Sequence, residues 1–447
     1  MGLGRAALAV VVQVQQILCL IGVLSGILKS LMQHLKGYSS IFPLATRSVQ
    51  KMKRITAIPI KGESYLLEYV GKLVLIDGGY TGAALAAALK RQLGKQDIHL
   101  DVVVCTHNDN DHAGGLTDLL DQPGITASEF WLPGSWKESV KEVVEETEIF
   151  YKELVKEIKD VEGEQIQILC GDDNEEIDLA LAKWAANMRV YDGSGAHETG
   201  CTLMLRPSRS DTKTTSATKA KQSIRKAGKS PEITLRVIDL IDTAERIRKI
   251  ALSANGKGVP IRWFDYLAYS RDRIATGGEE FLTPVNAKEL REPPELPEFE
   301  LRRFIALSRA NRESLVFLSP SGDDAHIAII FCGDSPMGDG SQYANSFLSG
   351  KQVSGPLIAT APHHGADSNA MAYGHIAKFG SVSFWIRAGG KSHHPQSAYR
   401  MLPGGIRTCT HCPHNALPLQ AVCITDKCEE FTDPQAWLTV RSHDCLC

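Results

Sequence analysis

The sequence predicts an α/β protein in which helices cover sheets, and three observations carry that expectation. Strand-like runs rich in β-branched and aromatic residues crowd positions 55–77, a helical period follows at Gly82–Leu93, and a compact apolar run returns at 100–105. Strands that pair first in hairpins and then alternate with helices build layered architectures. The 447 residues are 43% hydrophobic and 23% charged, enough to bury a real core and unlike collagen-like, mucin-like or wholly disordered chains. A formal charge of −3 gives no global reason to coat nucleic acid.

The first segment, 1–51, is read either as an apolar extension or as a membrane anchor. No charge falls between Ala6 and Leu28, and those 23 positions, at about 1.5 Å per helical residue, would span a hydrocarbon core of ~30 Å. Gln13, Gln15 and Gln16 interrupt the run with amides that lipid cannot satisfy. Lys29, Lys36, Arg47, Lys51, Lys53 and Arg54 follow it, a bias that keeps the body of the protein cytoplasmic. A translated extension ahead of a start at Met52 is the other reading.

Regular patterning begins near Met52. Residues 55–60, 64–70 and 72–77 read as strands, the last two joined through Gly71 and Lys72 as a hairpin. Ala84, Leu85, Ala88, Leu89 and Leu93 recur at helical spacing. Positions 137–160 read as a charged helix, a lid or insertion, with Val140, Val144, Ile149, Leu154 and Ile158 as its buried stripe. Residues 208–230 hold seven Lys/Arg among Ser and Thr and read as a solvated loop whose cations can touch phosphate. Helical spacing resumes over 233–254, and the prolines at 293, 294 and 297 mark a linker.

Chemistry concentrates directly after the apolar run at 100–105. His107, Asp109, Asp111 and His112 place two imidazoles and two carboxylates within six residues, where one loop can turn all four donors onto cations. Imidazole nitrogen and carboxylate oxygen suit zinc, manganese or iron, and a mixed set of this kind commonly holds two ions. Gly114 and Gly115 let the backbone turn tightly behind them.

His107-x-Asp109-x-Asp111-His112 resembles the metal-binding loop of the metallo-β-lactamase fold family, His-x-His-x-Asp-His, with aspartate in place of the second histidine. That exchange is shared with a branch that includes the hydrolase domain of the DNA-uptake protein ComEC. Other segments are similar in the same order: Leu75 to Gly79 with Asp77, Asn311-x-x-Ser314, Gly333-Asp334, Pro362-His363-His364-Gly365 and His393-His394-Pro395. The resemblance covers 52–403 and implies an αββα sandwich, interrupted by insertions at about 135–165 and 207–300, with 404–447 as a Cys-rich tail. It implies two divalent ions, zinc first and manganese as the alternative, held by His107, Asp109, Asp111, His112, Asp334 and either His364 or His394. Asp77, Asn311 and Ser314 would support those ligands from behind.

Catalytic roles are expected for Asp109, which, if it is not a ligand, would orient water or take its proton, for Asp111, and for His363 or His393, either of which would donate to the leaving oxygen. Six of the eleven cysteines crowd the last forty residues, and Cys409, Cys412, Cys423 and Cys428 are spaced either for a structural zinc or as reduced thiols. The expected function is a metal-dependent hydrolase acting on a phosphoester, with a nucleic acid or nucleotide as the implied partner. Hydrolysis of a small ester, lactone or lactam, and a non-catalytic scaffold with a degraded metal site, are the alternatives. Membrane association depends on the reading of 1–51.

Overall fold

Three consecutive runs open the fold as a meander: β1 (Arg54–Ala57), β2 (Tyr65–Tyr69) and β3 (Lys72–Ile76) pair antiparallel. Val70 and Gly71, both at positive φ, make the two-residue turn between β2 and β3, the conformation that matches strand twist in tight hairpins. Helix α1 (Gly82–Leu93) then crosses over to β4 (Ile98–Val104), which lies parallel to β3. The computed structural model describes residues 52–160, 215–290, 307, 313–322, 327–390, 393–411, 419–426 and 438–441. The apolar segment 1–51, the proline-rich linker, Asn311, Cys412 and Cys428 lie outside the described residues.

The chain continues through β5 (Ile125–Pro133), α2 (Trp136–Glu145), α3 (Thr147–Asp160), α4 (Thr215–Arg225), α5 (Pro231–Gly256) and β6 (Ile261–Asp265). There follow β7 (Thr283–Pro284), β8 (Lys288–Leu290), β9 (Phe317–Ser319), β10 (Ala328–Phe331), β11 (Pro356–Thr360), α6 (Ala370–Phe379) and β12 (Ser381–Arg387). The last strands are β13 (Arg407–Cys409), β14 (Val422–Asp426) and β15 (Leu438–Arg441). Among the described residues one sheet runs β15-β14-β1-β2-β3-β4-β5-β6-β8 and the other β13-β12-β11-β10-β9-β7.

The two sheets pack face to face through alternate residues. Val102 and Val104 of β4 meet Phe317, Ile329 and Phe331 between the sheets, while Val103 and the following Cys105 turn outward into the cluster formed with α1, α2 and α5. On the far side Ala328 and Ile330 turn outward against Ile376 and Phe379 of α6. Period-two alternation on strands buried on both faces therefore yields four layers, an αββα sandwich.

Several expected boundaries differ. The charged helix of 137–160 is two helices, because Thr147 caps backward onto Val143 O at 2.9 Å and restarts the helical phase. Phe150 takes the buried position and Ile149 is exposed, against the stripe read from one continuous period. The loop expected over 208–230 contains α4, which seats Ala217, Ala220 and Ile224 in the helical layer. Two alanines let helices approach closely, so a large apolar stripe is unnecessary. Positions 207–300 also supply β6 and β8 to the larger sheet, and 404–447, expected as a tail, supplies β13 to one sheet and β14 and β15 to the other. Among the described residues no helix is long and apolar enough to cross a membrane.

Phe317 is fully buried between the sheets, with Trp131 and Phe264 rings within 5.6 Å. Phe317→Ala is expected to lower unfolding free energy by about 3–5 kcal/mol, read as a reduced midpoint in chemical denaturation with little change in slope.

Candidate metal centre

The parallel pairs β3/β4, β10/β11 and β11/β12 send the carboxyl ends of strands from both sheets to one edge of the sandwich. Asp77 follows β3, residues 105–112 follow β4, Asp334 follows β10, His363 and His364 follow β11, and His394 follows β12. The loop between β1 and β2 reaches the same edge and brings Glu63. Side chains far apart in sequence thus meet because strand direction puts their loops together.

Asp77 organises the motif loop. Its carboxylate accepts from Thr106 N at 2.8 Å, from Thr106 Oγ1 at 2.7 Å and faces His112 Nδ1 at 2.8 Å, all fully buried. The Thr106 hydroxyl has spent its hydrogen on Asp77, so at 3.0 Å it can only accept from His107 Nδ1. With Nδ1–H committed in both rings, the Nε2 lone pairs of His107 and His112 point the other way. His364 Nδ1 lies 3.0 Å from Ala388 O, so its Nε2 also faces inward.

These lone pairs converge with carboxylate oxygens. His112 Nε2 lies 3.2 Å from both His364 Nε2 and Asp334 Oδ1; His107 Nε2 lies 3.4 Å from Asp334 Oδ2; and His364 Nε2 lies 3.1 Å from Asp111 Oδ2. His107 Nε2 and Asp334 Oδ1 are buried without a well-directed hydrogen bond, although His107 Nε2 lies 3.4 Å from Asp334 Oδ2 and Asp334 Oδ1 lies 3.2 Å from His112 Nε2. Acceptors aimed at a common point rather than at donors suit cations, and His107, His112 and Asp334 form one compact ligand group. Glu63, His112 and His364 form a second cluster of donor atoms, in which Glu63 lies on the Nδ1 side of His364.

Without a cation, protons take its place. Burial pushes Asp334 upward, yet the adjacent His112 and His107 hold its carboxyl well below the usual range. Burial likewise opposes charge on His112, and Asp334 and Asp77 outweigh it, holding the ring well above the usual histidine value. His364 is carried against burial to about 10 by Asp111 and Glu63. Burial raises Glu63, whereas Asp111 is held low, against burial, by the His364 hydrogen bond and the His112 charge. His394 moves oppositely, down to about 4, through burial and the neighbouring His364.

The remaining predicted residues occupy distinct positions. Asp109 sits at the mouth, 43% exposed, with Oδ2 3.9 Å from His107 Nε2. His363, 39% exposed, has Nε2 3.5 Å from Asp334 Oδ2. His364 rather than His394 touches the cluster; the His394 ring stacks on His364 at 6.0 Å between centroids. Ser314 Oγ accepts from Asp334 N at 3.0 Å and lies 3.4 Å from His107 Nδ1. Cys409 and Cys423, neither in a disulfide, stand on strands of different sheets, and the other two cysteines of the expected zinc knuckle lie outside the described residues.

Sequence reasoning missed Glu63, Thr106 and Arg387. A single glutamate in a turn reads as solvated, and an arginine ending a strand reads as an edge charge, so neither carries a signal until the fold closes around it. The Gly62-Glu63 pair was the one available hint. A Cβ at Gly62 would lie 2.4 Å from Asp111 O, so that turn presses backbone against the motif loop.

Residues 58–170 match the Metallo-beta-lactamase superfamily, and the αββα sandwich is the fold of that superfamily. No curated protein matches the chain.

Because a cation binds neutral imidazole, filling the centre at neutral pH must expel protons held by His364 and His112. Calorimetric titration of metal-free protein with Zn²⁺ in buffers of differing ionisation enthalpy is expected to show net proton release at pH 7. The sign follows from the raised pKa of His364: its proton competes with the ion at every pH below about 10, more strongly as pH falls. Apparent affinity should therefore climb with pH across that window.

Proposed function

We propose that the chain is a metal-dependent hydrolase of phosphoesters, of the branch similar to the ComEC hydrolase domain. The observation that carries the reading is the convergence of three imidazole Nε2 atoms with Asp334 and Asp111 at the carboxyl edge of two sheets. Superfamily likeness over 58–170 supports metal-dependent hydrolysis in general; the branch rests on aspartate at position 109 and on the motif order.

Divalent cations held by His107, His112 and Asp334 on one side and by Asp111 and His364 on the other would lower the pKa of water towards neutrality and offset charge on the attacked group. Zinc suits the imidazoles, and manganese suits the oxygen-rich share. Asp109 stands at the open side without a close partner among the ligands and takes the proton of the attacking water. His363, partly exposed at the edge beside Asp334, donates to the leaving oxygen. Its hydrogen bond with Ser368 Oγ at 3.3 Å orients the ring, leaving Nε2 towards the cluster.

Two anionic centres meeting at a cation-neutralised site favour a phosphodiester over a neutral lactone, and a nucleotide or nucleic-acid strand is the substrate class in view.

The test is hydrolysis of bis-p-nitrophenyl phosphate, an oligonucleotide and a lactone by purified, metal-loaded protein. Phosphodiester turnover should exceed lactone turnover, and His112→Ala should reduce it at least ~100-fold with the far-UV spectrum retained. A His112→Ala protein of full activity would sink the reading.

A further inference from the structure

The two histidines whose Nε2 atoms meet at the centre are backed differently. His112 is held from behind by Asp77, a residue of its own sheet. His364 follows a strand of the opposite sheet, and its backbone is at φ 52°, ψ 20°, next to His363 at φ 47°. Left-handed backbone in two successive non-glycine residues is costly, and it persists only where surrounding contacts over-determine it.

We infer that Glu63 and Arg387 are positioning residues that together hold His364 as a ligand for a cation, an inference resting on the proposed hydrolase reading. Arg387 ends β12 and is 1% exposed. Its guanidinium donates to four backbone carbonyls: Nε to His364 O at 3.1 Å, Nη1 to His411 O at 2.7 Å, and Nη2 to Gly389 O at 3.1 Å and His394 O at 3.3 Å. A planar fork with donors in fixed directions suits such a set, and an ammonium cannot span it. Arg387 thereby ties the turn that carries His364 to the loop that carries His394.

Glu63 acts on the ring rather than on the backbone. Its Oε2 lies 3.1 Å from His364 Nδ1, on the flank opposite the Nε2 that faces Asp111 and His112. Ala388 O takes the Nδ1 hydrogen at 3.0 Å, and Glu63 Oε2, buried without a well-directed hydrogen bond, adds a second oxygen on that flank that backs the ring. The turn bearing Glu63 cannot drift, because Glu63 N donates to Asp111 O at 2.7 Å and Gly79 N donates to Glu63 O at 2.9 Å. Gly389 completes the arrangement: a Cβ there would lie 2.7 Å from Gly62 C, so the two loops touch backbone to backbone. Glu63 thus does for His364 what Asp77 does for His112, while Arg387 supplies the grip that a ligand from the second sheet requires.

The experiment is Co²⁺ binding to the full chain, read by metal content after equilibrium dialysis and by visible absorption of the bound ion, for wild type, Glu63→Gln, Glu63→Ala and Arg387→Lys. Wild type should take two ions. Glu63→Ala and Arg387→Lys should weaken one of them by about 10–100-fold and alter its absorption, leaving the other unchanged. Glu63→Gln, whose amide oxygen can still back the Nδ1 flank, should restore most of that affinity, which a merely structural glutamate would not require. Circular dichroism and thermal melting of each variant separate loss of the ion from loss of the fold. Two ions bound with wild-type affinity and absorption in Glu63→Ala and Arg387→Lys would overturn the positioning role alone. A wild-type chain that takes no Co²⁺ would instead overturn the hydrolase reading beneath it.

Discussion

A carboxylate without access to water, Asp77, is the constraint on which the centre depends. It receives three donors, two from Thr106 and one from His112, and each of those bonds decides something further downstream. By consuming the Thr106 hydrogen it forces that hydroxyl to accept from His107; by taking the His112 Nδ1–H it releases Nε2. One ionised group, paid for in desolvation, thereby sets the tautomer of two rings. Its own backbone at φ 59° bends the chain out of β3 at the point where the motif loop must pass.

Neighbouring backbone makes this possible. Gly78 N donates to His112 O at 2.6 Å and Gly115 N to Gly79 O at 2.7 Å, so the end of β3 and the far side of the motif loop are laced without side chains between them. A Cβ on Gly115 would lie 2.0 Å from Gly78 O. Glycine at both places is a matter of room, and the ring positions inherit their accuracy from that contact.

Much of this was legible in the chain itself, for a physical reason. The helix over Gly82–Leu93, the strand before the motif loop and the loop's own donors are local: spacing of apolar residues and clustering of ligand types are visible within a dozen positions. Helices layered on sheet followed from the same local periods, whereas the αββα sandwich was implied by the resemblance that the motifs carry. What could not be read depends on closure. Glu63 becomes a partner of His364 only after residues some three hundred positions apart are brought together. Arg387 acquires meaning only from the carbonyls that surround it. The break at Thr147 escaped notice because a threonine bonding back onto Val143 leaves no mark on hydrophobic spacing, and α4 escaped because alanine reads as neutral. Strands drawn from 404–447 were hidden by cysteines that drew attention to thiol chemistry instead of to Val422 and Ile424, whose side chains lie in the core between the sheets.

His112 and His364 stand 252 positions apart and belong to loops of opposite sheets, yet their ligand nitrogens are 3.2 Å from one another. An ion held by His107, His112 and Asp334, or by Asp111 and His364, takes ligands from loops of both sheets and would be a rivet through the two halves of the sandwich as well as a chemical agent. Its binding energy adds to the work of prising the sheets apart in proportion to the logarithm of its free concentration. Scarcity of the ion would then empty the centre and soften the architecture in a single step, so that the supply of metal would set how long the fold survives.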